Sequence, residues 1–188
     1  MIYLIIGGLA IGLLLAGNTQ VKATNSDYID PFFRWDGLFK KYGEQYGIPW
    51  RWLKSICMVE SDLGRARSVK LGLDSPSDVN NSKSSDGKSW GIMQTTLSTA
   101  RQFESSITEV GLNDPEISVR IAAKYLSWIG KNYFAISSGN RESVIRSYNG
   151  GPGFRRTAQG IRDTPFYYSK FLDNLALVKN QQPGNEME

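Results

Sequence analysis

Glu60 sits where a charge is least expected. In the stretch MVESDLGR, residues 58–65, it follows Leu53, Ile56, Cys57 and Val59 on an apolar run, with Ser61 beside it. A carboxyl set against Trp52, Ile56 and Met58 is desolvated, which disfavours its charged form and raises its pKa. A carboxylic acid that keeps its proton near neutral pH is what cleavage of a glycosidic bond needs as general acid.

What the chain lacks narrows the chemistry. There is no histidine, which excludes imidazole acid–base catalysis, His-dependent triads and His zinc sites. The one cysteine, Cys57, stands among Ile56, Met58 and Val59. With no histidine to activate it, Cys57 reads as a small buried hydrophobe, and no intrachain disulfide can form. An enzyme built from this sequence works with carboxylates, hydroxyls, lysine or tyrosine.

The elements that would position Glu60 are helical. FFRWDGLFKKYGEQYG places Phe32, Trp35, Leu38, Phe39, Tyr42 and Tyr46 at steps of three and four, one face of a helix. Gly47 stops that helix and Pro49 opens the next. WRWLKSICMVESDLG then buries Trp52, Leu53, Ile56, Cys57 and Val59 and projects Glu60 from the same stripe, with Gly64 closing the segment. Residues 74–89, DSPSDVNNSKSSDGKS, read as a loop. WGIMQTTLSTARQFESSI returns to apolar periodicity. DPEISVRIAAKYLSWIGKNYF is an amphipathic helix with Asp114 as cap and Pro115 at its first position. NRESVIRSYNGGPG predicts a short helix ended by a Gly-Pro-Gly turn, and DTPFYYSKFLDNLALV the last helix. No repeat and no strand alternation is visible, so the fold class is mainly α.

The chain of 188 residues fits one domain with extensions. Residues 1–17 are uncharged, and the first charge is Lys22. Residues 1–21 therefore read as a short transmembrane anchor, or as a signal peptide cut near Val21-Lys22-Ala23. The absent basic n-region favours the anchor. LLLAGN has the look of a lipoprotein box, but Asn18 stands where the lipidated cysteine would be. Residues 22–30 read as a linker, 31–180 as the domain and 181–188 as a flexible tail. A net charge of +4 fits plain solubility or attraction to an anionic polymer such as cell wall, nucleic acid or a membrane surface.

Taken together, Glu60-Ser61, GIMQ at 91–94 and SYNGGPG at 147–153 resemble the soluble (Slt-like) lytic transglycosylases, which share a lysozyme-like fold. The resemblance runs from about Tyr42 to Phe171, through DPEISVRIAAKYL and DTPFYYSKF. It implies that Glu60 is the single acid/base for cleavage between N-acetylmuramic acid and N-acetylglucosamine, leaving a 1,6-anhydro end. It also implies that Tyr167 hydrogen-bonds the Glu60 carboxyl and that Ser85 assists, with Ser82, Ser84 and Ser89 as rivals. Gln94 and Met93 would line the sugar cleft beside Gly91. Tyr148 and Asn149 would position substrate, Gly150 would let backbone approach the glycan, and Asp163 would meet the peptide stem. Thr96 and Leu97 depart from the family's Met-Pro, and Ser118 and Ala122 from its helix Asn and Gly.

The resemblance further implies no metal or organic cofactor. The expected partners are peptidoglycan glycan strands, the membrane through the N-terminal segment, and a phage, conjugation or secretion assembly. The expected location is exported or membrane-associated, facing the cell wall. Two alternatives stay open here: a goose-type lysozyme that hydrolyses the same bond, for which Asp86 is the candidate second carboxylate, and an inactive peptidoglycan-gripping module. A nucleic-acid role has only the basic balance and Arg155, Arg156 and Arg162 behind it and is not favoured.

Overall fold

The computed structural model describes residues 30–65, 84 and 87–184. The expected anchor, most of the linker and most of the 74–89 loop, with Ser82, Ser85 and Asp86, lie outside the described residues. Among the described residues, no helix is long and apolar enough to cross a membrane.

Helix α1 spans Asp36–Tyr46 and α2 spans Trp50–Ser61. Gly47, with a φ of 68°, caps α1 in the left-handed region and its N–H bonds back to Glu44 O. Pro49 sits just before α2 as its N-cap. After the undescribed segment come β1, Ser89–Trp90, and β2, Thr95–Thr96, paired antiparallel with Ser89 opposite Thr96. This hairpin is absent from the sequence reading because two-residue strands are too short to show a period of two. Helices α3, Leu97–Arg101, and α4, Glu109–Leu112, are single turns capped by the Thr96 and Thr108 hydroxyls. Helix α5, Pro115–Asn132, starts as expected: Asp114 accepts from the N–H groups of Glu116 and Ile117. Helix α6 spans Arg141–Gly150, and α7 spans Ala158–Gln181. The last helix thus begins five residues before Asp163, capped by Thr157, and Pro165 lies inside it. An interior proline removes one helix hydrogen bond and crowds the preceding turn, yet the helix continues through it.

The compact unit that holds the described elements starts at Pro31. Its main core joins α1, α2, α5, α6 and α7 around Phe39, Leu53, Ile56, Leu126, Ile145 and Phe171. A smaller cluster of Ala100, Ile107, Leu112 and Ile121 lies beneath the hairpin and α3. Helix α5 runs from the small cluster into the main core, so it holds the two parts in register. Residues 182–184 do not hang free of the domain. The Gln182 and Gly184 carbonyls accept from Arg51, and the Gln182 side chain bonds Lys54 and Asp36.

Candidate active site

Glu60 is the penultimate residue of α2, and the helix stops directly after Ser61. Asp62 and Leu63 both take left-handed φ, 50° and 58°, a conformation uncommon outside glycine. The stop therefore comes three residues before Gly64. Ser61 is buried: its hydroxyl donates to Ile92 O at 2.6 Å and accepts from Gly64 N at 2.9 Å. It fastens the turn at 91–94 to the end of the helix that carries Glu60.

Other groups hold the same turn. Met93 N donates to Ser118 Oγ at 3.1 Å, the Tyr148 hydroxyl donates to Met93 O at 2.8 Å, and the Cys57 thiol reaches Ile92 O. Gly91 has a φ of 73°, and a β-carbon there would collide with Leu112 O and crowd Ser118 Oγ. Gln94 takes a φ of 48°, and its side-chain amide donates to Gly91 O at 2.8 Å. A non-glycine residue held in this region is strain that the surrounding bonds must maintain, a pattern common at functional sites.

The result is a cleft of about 270 Å³ with Glu60 in its wall. Gln94 and Thr96 face it from the hairpin, Tyr125 from α5, and Tyr148 and Asn149 from α6. Tyr167, from α7, donates to Glu60 Oε1 at 2.7 Å across 107 positions of sequence. Burial pushes the Glu60 carboxyl up to about 7, and the Tyr167 hydrogen bond acts the other way. Burial, with the Glu60 charge nearby, holds the Tyr148 and Tyr167 phenols well above their ordinary range, so both keep their protons. Among the described lining residues Glu60 is the only carboxylate.

The other residues singled out in the sequence take several positions. Gln94, Tyr148 and Asn149 join Glu60 at the cleft. Met93 does not present its side chain there: it is fully buried, and its backbone serves the turn. Gly91 is a packing residue beneath the turn. Gly150 lies against Thr164 and Phe154, where a β-carbon would come within 2.6 Å of Thr164 Cγ2. Asp163 lines an adjoining polar groove of about 390 Å³ with Gly150, Thr157 and Thr164, and Asn149 borders both spaces. Of the serines, Ser89 lines the cleft, whereas the Ser84 hydroxyl accepts from the N–H groups of Lys88 and Ser89. Cys57 is fully buried, and burial pushes its thiol up, away from nucleophilic use.

Three features escaped the sequence. Ser118 stands where the resemblance has an asparagine, and it supports the turn through its hydroxyl. Thr96 caps α3: its hydroxyl bonds Thr99 Oγ1 at 2.9 Å and accepts from Thr99 N. Tyr125 reads as one apolar residue among several on its helix, yet it faces the cleft. A larger pocket of about 610 Å³, lined by Ile48, Trp50, Trp52 and Ile136, shares no residue with the Glu60 cleft. Lys40, Glu44 and Ser137 also line it.

A family model, the transglycosylase SLT domain, matches residues 37–167. A comparison with curated proteins gave no match. The matched span opens in α1 and closes on Tyr167, so it takes in Glu60, the 91–94 turn, Tyr148, Asn149 and the tyrosine that holds the acid. With a mainly helical domain gathering these residues at one cleft, the chain belongs to the SLT transglycosylase family, lysozyme-like domains of the lytic-transglycosylase type that act on peptidoglycan.

Proposed function

We propose that this domain cleaves the β-1,4 bond between N-acetylmuramic acid and N-acetylglucosamine with Glu60 as the only acid/base, leaving a 1,6-anhydromuramoyl end. The observation that carries the reading is a carboxyl raised to about 7 and fixed by Tyr167, the only carboxyl among the described residues that line the sugar-sized cleft.

Protonated Glu60 gives its proton to the bridging oxygen as the C1–O bond breaks, releasing N-acetylglucosamine with a free hydroxyl. The carboxylate left behind takes the proton from the muramoyl C6 hydroxyl as that oxygen bonds C1. The acid is regenerated and no water is consumed. One residue serves twice because the nucleophile belongs to the substrate and is held at high effective molarity. Inverting hydrolysis would need a second carboxylate about 6.5–9.5 Å from the acid to activate water. At the position two places after Gln94, where goose-type enzymes can carry an acid, Thr96 commits its hydroxyl to capping α3.

Gln94 and Asn149 are read as hydrogen-bonding groups for the sugars, and Ser89 as the described cleft hydroxyl nearest the role expected of Ser85. Asp163, in the adjoining groove, is read as a contact for the peptide stem. The small domain and the apolar first 17 residues suit an exported or membrane-held enzyme that opens the wall locally for a phage-entry, conjugation or secretion machine.

Digestion of purified peptidoglycan in heavy-oxygen water tests the reaction. Label-free muramoyl ends support intramolecular attack. Heavy oxygen at C1 of every new end would replace it with hydrolysis.

A further inference from the structure

The apolar face of α5 continues past the cleft. Ile117, Ile121, Tyr125 and Trp128 recur at steps of three and four and share one side of the helix. Ile121 is fully buried in the small cluster beneath the hairpin. One turn on, Tyr125 is partly exposed and lines the cleft. Trp128 is also partly exposed, and Tyr133, just after the helix, is 52% exposed.

These rings form one continuous run. Tyr125 and Trp128 stack with centroids 6.0 Å apart and planes 22° apart. Trp128 meets Tyr133 edge-on at 5.2 Å, and Tyr125 meets Tyr148 at 5.6 Å. Trp128 and Tyr133 do not line the cleft at Glu60, so the run leads outward from its Tyr125 wall. Core packing accounts for the covered edges of Tyr125 and Trp128, which lie against the main cluster. It does not account for an aromatic ring left half in water at the end of the stack.

We propose that Tyr125, Trp128 and Tyr133 form a distal subsite that takes a further pyranose ring of the glycan strand, beyond the bond facing Glu60. The substrate is a polymer, so a strand lying in the cleft must leave it and cross neighbouring surface. A pyranose presents a face of C–H groups with hydroxyls at its edge. Tyrosine and tryptophan are its complement, an apolar body with a polar rim. The inference rests on the transglycosylase reading.

The test measures binding by the Glu60→Gln protein to glycan strands of graded length from which the peptide stems have been removed. Tyr133→Ala, which deletes a half-exposed ring, is combined with it in one variant and Trp128→Phe in another. A thermal melt checks that both fold. The subsite predicts that Tyr133→Ala weakens binding to long strands by roughly fivefold, the size of one aromatic contact. It predicts a much smaller loss for a single disaccharide, so that the gain in affinity with length flattens. Full length dependence in both variants overturns the proposal, as does an equal loss at every length, which marks a structural role. Binding of no strand by the Glu60→Gln protein, with no cleavage by the parent, overturns the transglycosylase reading and the subsite together.

Discussion

Burial pushes the Glu60 carboxyl up to about 7, and among the described residues Tyr167 is the one donor bonded to it. The second tyrosine at the site, Tyr148, directs its proton to Met93 O instead. Tyr167→Phe removes the donor that favours the carboxylate, so the pKa of Glu60 rises further. On the proposed mechanism the acid form acts at the first step, so activity is expected to fall as pH rises through about 7 in the parent. In Tyr167→Phe that alkaline limb moves to higher pH, read from a pH–rate profile, while the maximal rate drops as the carboxyl loses its fixed rotamer. The same burial acts on stability. A carboxyl whose folded pKa is raised above its unfolded value leaves the native state binding more protons, so its contribution worsens as pH rises from about 4.5 to 7. Glu60→Gln removes that penalty. The variant is expected to be more stable at pH 8 by roughly 1–3 kcal/mol, with the difference shrinking toward pH 4.5, as denaturant midpoints would show.

At the scale of elements, the site depends on a four-residue turn of which only Gln94 lines the cleft. Residues 91–94 are held by Ser61, Ser118 and Tyr148, so the GIMQ pattern is mostly a support with one exposed product, Gln94. Ser118→Ala leaves Met93 N buried without an acceptor, an effect of about 1–3 kcal/mol. Gly91→Ala is expected to be harsher, since it drives a β-carbon into Leu112 O and demands left-handed backbone of alanine. Both should lower the melting temperature, and Gly91→Ala should lose activity even where it remains folded. These roles explain what the sequence could and could not tell. Glu60 was legible as a charge on an apolar stripe, whereas Tyr167 was legible only through the resemblance, because a tyrosine on an amphipathic closing helix carries no signal of its own. Met93 and Gly91 were expected in the cleft lining and are packed beneath the turn, while Gly150 lies at the adjoining groove, because a motif marks which positions matter without saying which way they face. The hairpin was too short to leave a pattern, and the first turn of α7, Ala158 to Arg162, was not included in the helix read from Asp163 onward. Tyr125 was visible only as one residue of an amphipathic stripe; nothing in periodicity says where a neighbouring lobe stops covering it.

On the scale of the whole molecule, the helix bearing Glu60 is tied to the far end of the chain. Lys54 is fully buried, pairs with Asp36 at 2.7 Å and donates to Gln182 Oε1 at 2.8 Å. Its ammonium also lies 3.8 Å from the centre of the Phe32 ring. One polar cluster thus joins α1, α2 and the segment after α7. Asp36→Ala removes the counter-charge of a buried ammonium and is expected to cost about 3–5 kcal/mol. Replacing both partners with Lys54→Met and Asp36→Leu should recover most of that, because two apolar groups of similar volume leave no charge to satisfy. Urea unfolding of the single and double variants measures the difference. A double variant as unstable as Asp36→Ala would mean that the pair is not what holds this end together.

The most direct check of the account is the mass of the muropeptides released from purified peptidoglycan by the parent and by Glu60→Gln. Anhydromuramoyl ends from the parent, absent with the variant, are the predicted result. Reducing ends from the parent, or anhydro ends that persist without the Glu60 carboxyl, would contradict a single-residue transglycosylase.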